Sequence, residues 1–142
     1  MKTNKELLTS VLKTAQMGQI GIRSALDRAK QPGLRQALTM QLKDYDGLET
    51  DVQRLAAARD WTLTELSPAL RMMTDRVLRM RLIGGNGDSK IAGMMIQGST
   101  RGMITGLKDL HRTDRPDPDV QALSRRLLDC ENAGIGAMQP YL

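Results

Sequence analysis

Apolar residues recur every three or four positions over four long stretches of the chain, which is the spacing of an amphipathic helix. No stretch shows the sustained alternation of apolar and polar residues, rich in β-branched side chains, that is typical of a strand. The pattern therefore predicts an all-α protein. The four long helices are expected at about residues 4–30, 32–59, 90–111 and 118–139.

A shorter helix is predicted between the second and third long helices. Ser67 and Pro68 supply an N-cap and a first-turn proline. The glycine-rich segment 84–87 should end this helix near Leu82, and Asp88 or Ser89 should cap the next one. The apolar stripe of the short helix comprises Leu70, Met73, Val77 and Met80.

A helix of about 15 residues is roughly 22 Å long, which is enough to carry the chain from one end of a bundle towards the other. The short connection at Gln31-Pro32-Gly33 predicts that the first two long helices form an antiparallel hairpin. We therefore predict one domain over residues 1–142, in which a crossover helix joins two hairpins. This is the topology of a ferritin-like four-helix bundle.

Each long helix carries a polar residue within its apolar stripe near its midpoint. These residues could form a hydrogen-bonded layer that fixes the register of the helices, or a site for a small ligand or a single metal ion. Both interpretations stay open. The candidate layer comprises Gln19, Tyr45 with Gln41 beside it, Glu49 at the stripe edge, Ser99 and Glu131.

A dinuclear metal site is not expected, because its ligand pattern is missing. Such a site in a bundle uses Glu-x-x-His on two of the helices. The chain has one histidine, His111, without a Glu three residues before it, and the third residue after Glu131 is Gly134. We expect no tightly bound metal and no cofactor, and no nucleophile with a neighbouring base is evident.

Glycine is concentrated in the third long helix, where Gly98, Gly102 and Gly106 are spaced four residues apart along one side. Each glycine costs roughly 1 kcal/mol against alanine in a helix interior. We therefore expect a closely packed helix opposite this flank, within the bundle or across a dimer.

Composition leaves the nature of the core open. Phenylalanine is absent, and six of the ten methionines lie between Met72 and Met103. Methionine is flexible and fills irregular spaces, so these residues predict either a soft core or a methionine-lined groove for a partner.

Positive charge is concentrated in residues 66–115, which hold nine Lys/Arg and four Asp/Glu, whereas the rest of the chain is balanced. This excess forms either a solvated face or a surface that attracts anions. Aromatic residues for stacking are nearly absent, so we expect no nucleic-acid partner. The candidate basic face on the short helix comprises Arg71, Arg76, Arg79 and Arg81.

The chain contains no apolar run of the length of a membrane span or a signal peptide. Its single cysteine, Cys130, cannot form an intramolecular disulfide. These features predict a cytoplasmic protein without a membrane span.

Several segments resemble an uncharacterised family of small bacterial ferritin-like proteins. The most specific is the run Met-Met-Ile-Gln-Gly-Ser-Thr at 94–100, and the similarity covers nearly the whole chain. The resemblance implies a ferritin-like four-helix bundle and no assigned activity. The segments that carry it are 16–22, 88–92, 94–100 with Gly102, and Leu127-Leu128 with Glu131 and Ile135.

The expected function is that of a non-enzymatic bundle that acts by forming a homodimer or by binding a protein partner. One alternative is a binding module whose basic short helix meets an anionic surface. Another is a binder of a small ligand or metal that uses the polar layer.

Overall fold

The computed structural model describes residues 1–84 and 87–142 and is all-helical, as predicted. Within those residues the only β-type pairing is an isolated bridge between Lys2 and Thr113. A 3-10 turn at Gln139–Tyr141 closes the chain. The five helices are α1 (Asn4–Leu26), α2 (Pro32–Ala58), α3 (Pro68–Arg81), α4 (Gly87–His111) and α5 (Pro118–Met138).

The four long helices form two hairpins, α1 with α2 and α4 with α5, which pack on each other through α2 against α5 and α1 against α4. Hydrogen bonds mark the two ends of this arrangement. Asp88 at the start of α4 accepts from the turn between α1 and α2, at Lys30 and Gln31. Arg59 at the end of α2 binds Asp117 at the start of α5. The segment between α2 and α4 therefore runs from one end of the bundle to the other. Helix α3 lies in this segment and packs against α1.

Side-chain caps set most helix starts. Thr3 accepts the N–H of Glu6 at 3.1 Å, and Ser67 accepts the N–H of Leu70 at 3.1 Å. Asp117 accepts the N–H groups of two residues in the first turn of α5. These local hydrogen bonds satisfy donors that the helix itself leaves unpaired.

Two predicted boundaries differ. The first helix ends at Leu26, about four residues early, with the N–H groups of Arg28 and Ala29 bonded to Ala25. The fourth helix already begins at Gly87, so Asp88 lies inside its first turn and binds the α1–α2 turn instead of capping its own helix. The predicted glycine-rich stop includes residues 85 and 86, which lie outside the described residues.

The core is built mainly from leucine and small aliphatic residues of the four long helices, and α3 contributes none of its own residues to it. The stripe that we predicted on α3 is exposed, from 41% at Leu70 to 70% at Met80. The physical reason is that the long helices already close the core. α3 lies outside them and touches α1 through side chains such as Leu78, which lies against Gly21.

Candidate functional site: a polar layer beneath a groove

Four buried polar side chains from α2, α4 and α5 meet in the middle of the bundle. The Tyr45 hydroxyl donates to the Glu131 carboxylate. The Gln41 amide nitrogen lies 3.4 Å from the Tyr45 hydroxyl oxygen and 3.5 Å from Ser99 Oγ. The structure thus brings together Gln41, Tyr45, Ser99 and Glu131.

Gln19 and Glu49, which we expected in this layer, lie outside it. The Gln19 amide donates to Asp46 at 2.9 Å, and Glu49 accepts from Gln16 at 2.9 Å. Gln19 lies on α1 and Glu49 on α2, and both bind side chains other than Tyr45 and Glu131. The prediction for these two residues was therefore wrong.

Gln16 is a buried polar residue that the sequence reasoning missed. Its amide also donates to Glu65 at 3.1 Å, and its oxygen accepts the N–H of Leu66 at 3.1 Å. It therefore holds the linker before α3 against α1. The sequence signal for the burial of Gln16 was its position three residues before Gln19, which places both residues on the same helix face.

The three largest side chains of the layer each lie against a glycine of another helix. A Cβ placed on Gly18 would lie 2.6 Å from the Tyr45 ring, and one on Gly102 would lie 2.9 Å from Cδ of Glu131. A Cβ on Gly134 would lie 3.0 Å from Cδ of Gln41. These glycines make room for polar side chains rather than for a neighbouring backbone.

Two of the three glycines of α4, Gly102 and Gly106, lie close to side chains of α5, whereas Gly98 does not. Gly102 faces the Glu131 side chain, and a Cβ on Gly106 would lie 3.0 Å from Leu128 of α5. Gly98 is exposed, and among the described residues no atom lies within 4 Å of the position that its Cβ would take. The expected packing of Gly98 is thus not formed within the chain, and contact across a dimer stays a prediction.

Burial perturbs the acid–base chemistry of the layer. It raises the pKa of Glu131 from 4.5 to about 7, although the hydrogen bond from Tyr45 lowers that pKa in part. Burial and the neighbouring Glu131 also raise the pKa of Tyr45. Arg101, on the neighbouring helix α4, is exposed. Within the described residues it forms neither a hydrogen bond nor an ion pair with Glu131.

A groove of about 1090 Å³ runs between α1, α3 and α4, and the layer lies at its floor. Gly18 and Gly102 line the groove together with Tyr45, Ser99 and Glu131. The two glycines make room for the side chains of Tyr45 and Glu131, which are buried in the wall of the groove. This volume lies slightly above the roughly 300–1,000 Å³ that is usual for small-molecule sites.

The two ends of the groove differ in chemistry. Thr14 of α1 packs at Gly102 of α4, and Ser10 donates to Asp109, so the first half of α1 faces the last half of α4. Basic residues outnumber carboxylates in the lining of that end, which includes Lys5, Glu6, Thr9, Lys13, Arg101 and Thr105. The other end lies under α3 and is lined by Met17, Met73, Val77, Leu78, Met94 and Met95.

The four arginines of α3 do not form one uniform basic face. Arg79 pairs with Asp75 and Asp27, and Arg71 donates to the carbonyl of Leu66 at 3.2 Å. Arg81 lines the groove. Arg76 is exposed on α3, and no ion pair of the described residues includes it.

Other chemistry is limited. Within residues 1–84 and 87–142, no three His, Cys, Asp or Glu side chains are grouped so that they could hold a metal ion. Burial raises the pKa of the Cys130 thiol to about 11, which makes it a poor nucleophile. None of the described helices combines the length and apolar character that crossing a membrane requires.

Comparison of the chain with protein-family models, with curated proteins and with solved structures gives no match.

Proposed function

We propose that this protein binds a small amphiphilic anion in the groove between α1, α3 and α4. The single observation that carries the proposal is the division of the groove into a cationic end and an apolar end, with the buried Tyr45–Glu131 pair in the wall between them. This is the small-ligand alternative of the sequence analysis, combined with its methionine-lined groove.

The charge of the polar end supports an anionic head group. Lys5, Lys13 and Arg101 line this end, and no ion pair of the described residues includes any of the three. Such cations attract an anion and repel an ammonium group of the same size. A carboxylate, sulfate or phosphate head therefore fits there.

The apolar end supports a flexible hydrocarbon or similar tail. Methionines dominate its lining, and their thioether side chains adapt to ligands of irregular shape. Met73 and Val77 are exposed on the groove side of α3 and gain apolar contact when a ligand is present. Burial of apolar ligand surface supplies the affinity, at about 25 cal/mol per Å² before the cost of ordering.

We further propose that the fold is ferritin-like and that the dinuclear metal site of such bundles is absent. Two hairpins joined by a crossover segment along α1 support the fold. The Glu-x-x-His pattern would place a histidine three residues after Glu131, and this chain has Gly134 there. In its place the chain has the hydrogen-bonded pair of Tyr45 and Glu131.

The test is calorimetric titration with three dodecyl ligands below their micellar concentrations: dodecanoate, dodecyltrimethylammonium and dodecyl maltoside. We expect dodecanoate to bind with one ligand per chain, and about tenfold more tightly than the cation, a difference of about 1.4 kcal/mol. Equal binding of all three would leave only apolar adsorption, and no binding of dodecanoate would refute the proposal.

A matched pair of variants localises the binding. Gly98→Leu puts a side chain into open space at the groove, whereas Gly136→Leu does so on α5 away from it. Both exchanges raise helix propensity alike, so both variants should fold. Only Gly98→Leu should weaken dodecanoate binding, and an equal effect of the two variants would place the ligand elsewhere.

A further inference from the structure

Helix α3 exposes an unusual amount of apolar side chain. None of its residues is buried, and Met72, Met73 and Met80 are 58%, 62% and 70% exposed. Ile83, directly after the helix, is 62% exposed. Contiguous exposed apolar surface on a protein marks an interaction site.

The apolar and basic residues of α3 are arranged as in an interfacial helix. Met73, Val77 and Met80 follow one another at helical spacing, and Met72 and Ile83 extend the surface on one side. Four arginines against one aspartate give the helix a net charge of +3. Long arginine side chains can lay their stems along apolar surface and keep the charged head in a polar layer.

The positive charge discriminates between possible occupants. A second copy of the chain, docked through the same face, would bring two helices of charge +3 together in an isologous contact. Like charges opposed in this way weaken association. A surface of negative charge with an apolar layer directly beneath it complements both properties of the helix.

We propose that α3 docks on an anionic lipid surface, with its methionines at the boundary of head groups and acyl chains. Arg76 and Arg81, which no ion pair of the described residues includes, would lie at the lipid phosphates. This is the binding mode of amphipathic basic helices that lie in the plane of a membrane. The apolar end of the groove lies directly under α3, so docking places the groove beside the bilayer. The proposal depends on Met72, Met80 and Ile83, which are exposed and do not line the groove, whereas Met73 and Val77 belong to both surfaces.

Vesicle flotation tests the proposal. The full chain is mixed with vesicles of phosphatidylcholine alone, or of phosphatidylcholine with an equal amount of phosphatidylglycerol, at low and at high salt. We expect flotation only with the phosphatidylglycerol vesicles and its loss at high salt, because screening weakens attraction between exposed charges. Flotation with neither vesicle, or equally with both, would overturn the proposal.

Matched variants locate the contact. Met72→Gln with Met80→Gln removes apolar surface that does not line the groove, whereas Met40→Gln changes an equally exposed methionine on α2. We expect the double variant to lower partitioning about tenfold and Met40→Gln to leave it unchanged. An equal effect of both would overturn the assignment to α3.

Two further measurements separate this proposal from its competitors. Gly98→Leu, which fills the groove, should float like the wild type, so a failure of the ligand proposal leaves this one standing. Soluble polyglutamate at equal charge concentration should compete poorly, because it offers no apolar layer. Strong binding of polyglutamate without flotation would show an acidic protein partner and refute the lipid surface. A change of solution mass in the double variant would show self-association through α3 and refute it as well.

Discussion

Replacing Glu131 with glutamine tests the central feature of the layer, because it keeps the shape of the side chain and removes its titration. Glu131 is only 2% exposed, and burial raises its pKa to about 7. The folded pKa therefore lies above the unfolded one, and the native state binds the proton more tightly. The resulting stabilisation is full below pH 4.5 and is lost as the pH rises through 7.

The magnitude follows from the pKa values. A rise from 4.5 to about 7, at about 1.4 kcal/mol per pH unit, corresponds to about 3 kcal/mol of stability lost above neutrality. The glutamine of the variant would still offer an oxygen to the Tyr45 hydroxyl. We therefore expect Glu131→Gln to raise the free energy of unfolding by about 2–3 kcal/mol at pH 8, with little difference from wild type at pH 4.

The assay is urea unfolding of both proteins at intervals from pH 4 to pH 8. Asp129→Asn is the matched control, because it removes an exposed carboxylate two residues earlier on α5. The control should leave the pH profile of the wild type unchanged, whereas Glu131→Gln should flatten it. Equal or lower stability of Glu131→Gln at pH 8, without convergence in acid, would show that the native protein holds Glu131 as a stabilised carboxylate and would refute the reasoning.

Three other expectations concern packing, capping and metal. Gly102→Ala should destabilise the protein by about 1–3 kcal/mol through overpacking against Glu131. Gly98→Ala places its methyl group in open space and should stabilise the protein by up to about 1 kcal/mol. Stabilisation by both variants in urea unfolding would contradict the tight contact at Gly102. Asp88→Ala should lower stability at pH 7 by about 1–3 kcal/mol, because it leaves two backbone N–H groups of the α1–α2 turn without their acceptor. Those hydrogen bonds hold the pKa of Asp88 below its usual value. The stability lost in Asp88→Ala should therefore shrink as the pH falls through that pKa. Thermal unfolding at pH 7 and at pH 3 measures this change. Elemental analysis should find no stoichiometric iron or zinc, and metal that survives chelation and disappears in Glu131→Gln would contradict this.

The helices were predictable because the signals that set them are local. Apolar periodicity predicted α1, α2 and α5, and the side chains of Thr3, Ser67 and Asp117 accept N–H groups in the first turns of their own helices. The start of α4 was not predictable in the same way. Asp88 has the chemistry of a cap, but a more distant pair of N–H groups, in the α1–α2 turn, binds its carboxylate.

The position of α3 shows the limit of periodicity. The apolar stripe of α3 is present in the structure, but the sequence pattern of a stripe does not show which element packs against it. Four long helices provide enough apolar surface to close the core, so Met73 and Met80 stay exposed on a fifth helix. The alternative prediction of a methionine-lined groove describes these residues better than the prediction of a soft core does.

The polar layer was predictable in part. Tyr45, Ser99 and Glu131 lie in the stripes of three helices and meet as expected. Gln19 was misplaced, because a small error in the rotation of a helix directs a side chain to a different neighbour. The pairing of the layer with glycines of other helices depends on contacts between residues far apart in the chain, which no local pattern encodes.

The polar layer and its glycines lower the stability of the fold, and most of these residues line the groove. Glycines at 18, 102 and 134 each cost roughly 1 kcal/mol in a helix interior, and the buried Glu131 costs about 3 kcal/mol above neutral pH. A domain of this kind has a total stability of roughly 5–15 kcal/mol, so these costs are a large part of it. An apolar layer packed without glycine would avoid all of them and would also close the groove. Several departures from good helix and core chemistry at one place, beside an open groove, are expected of a binding site rather than of a structural core.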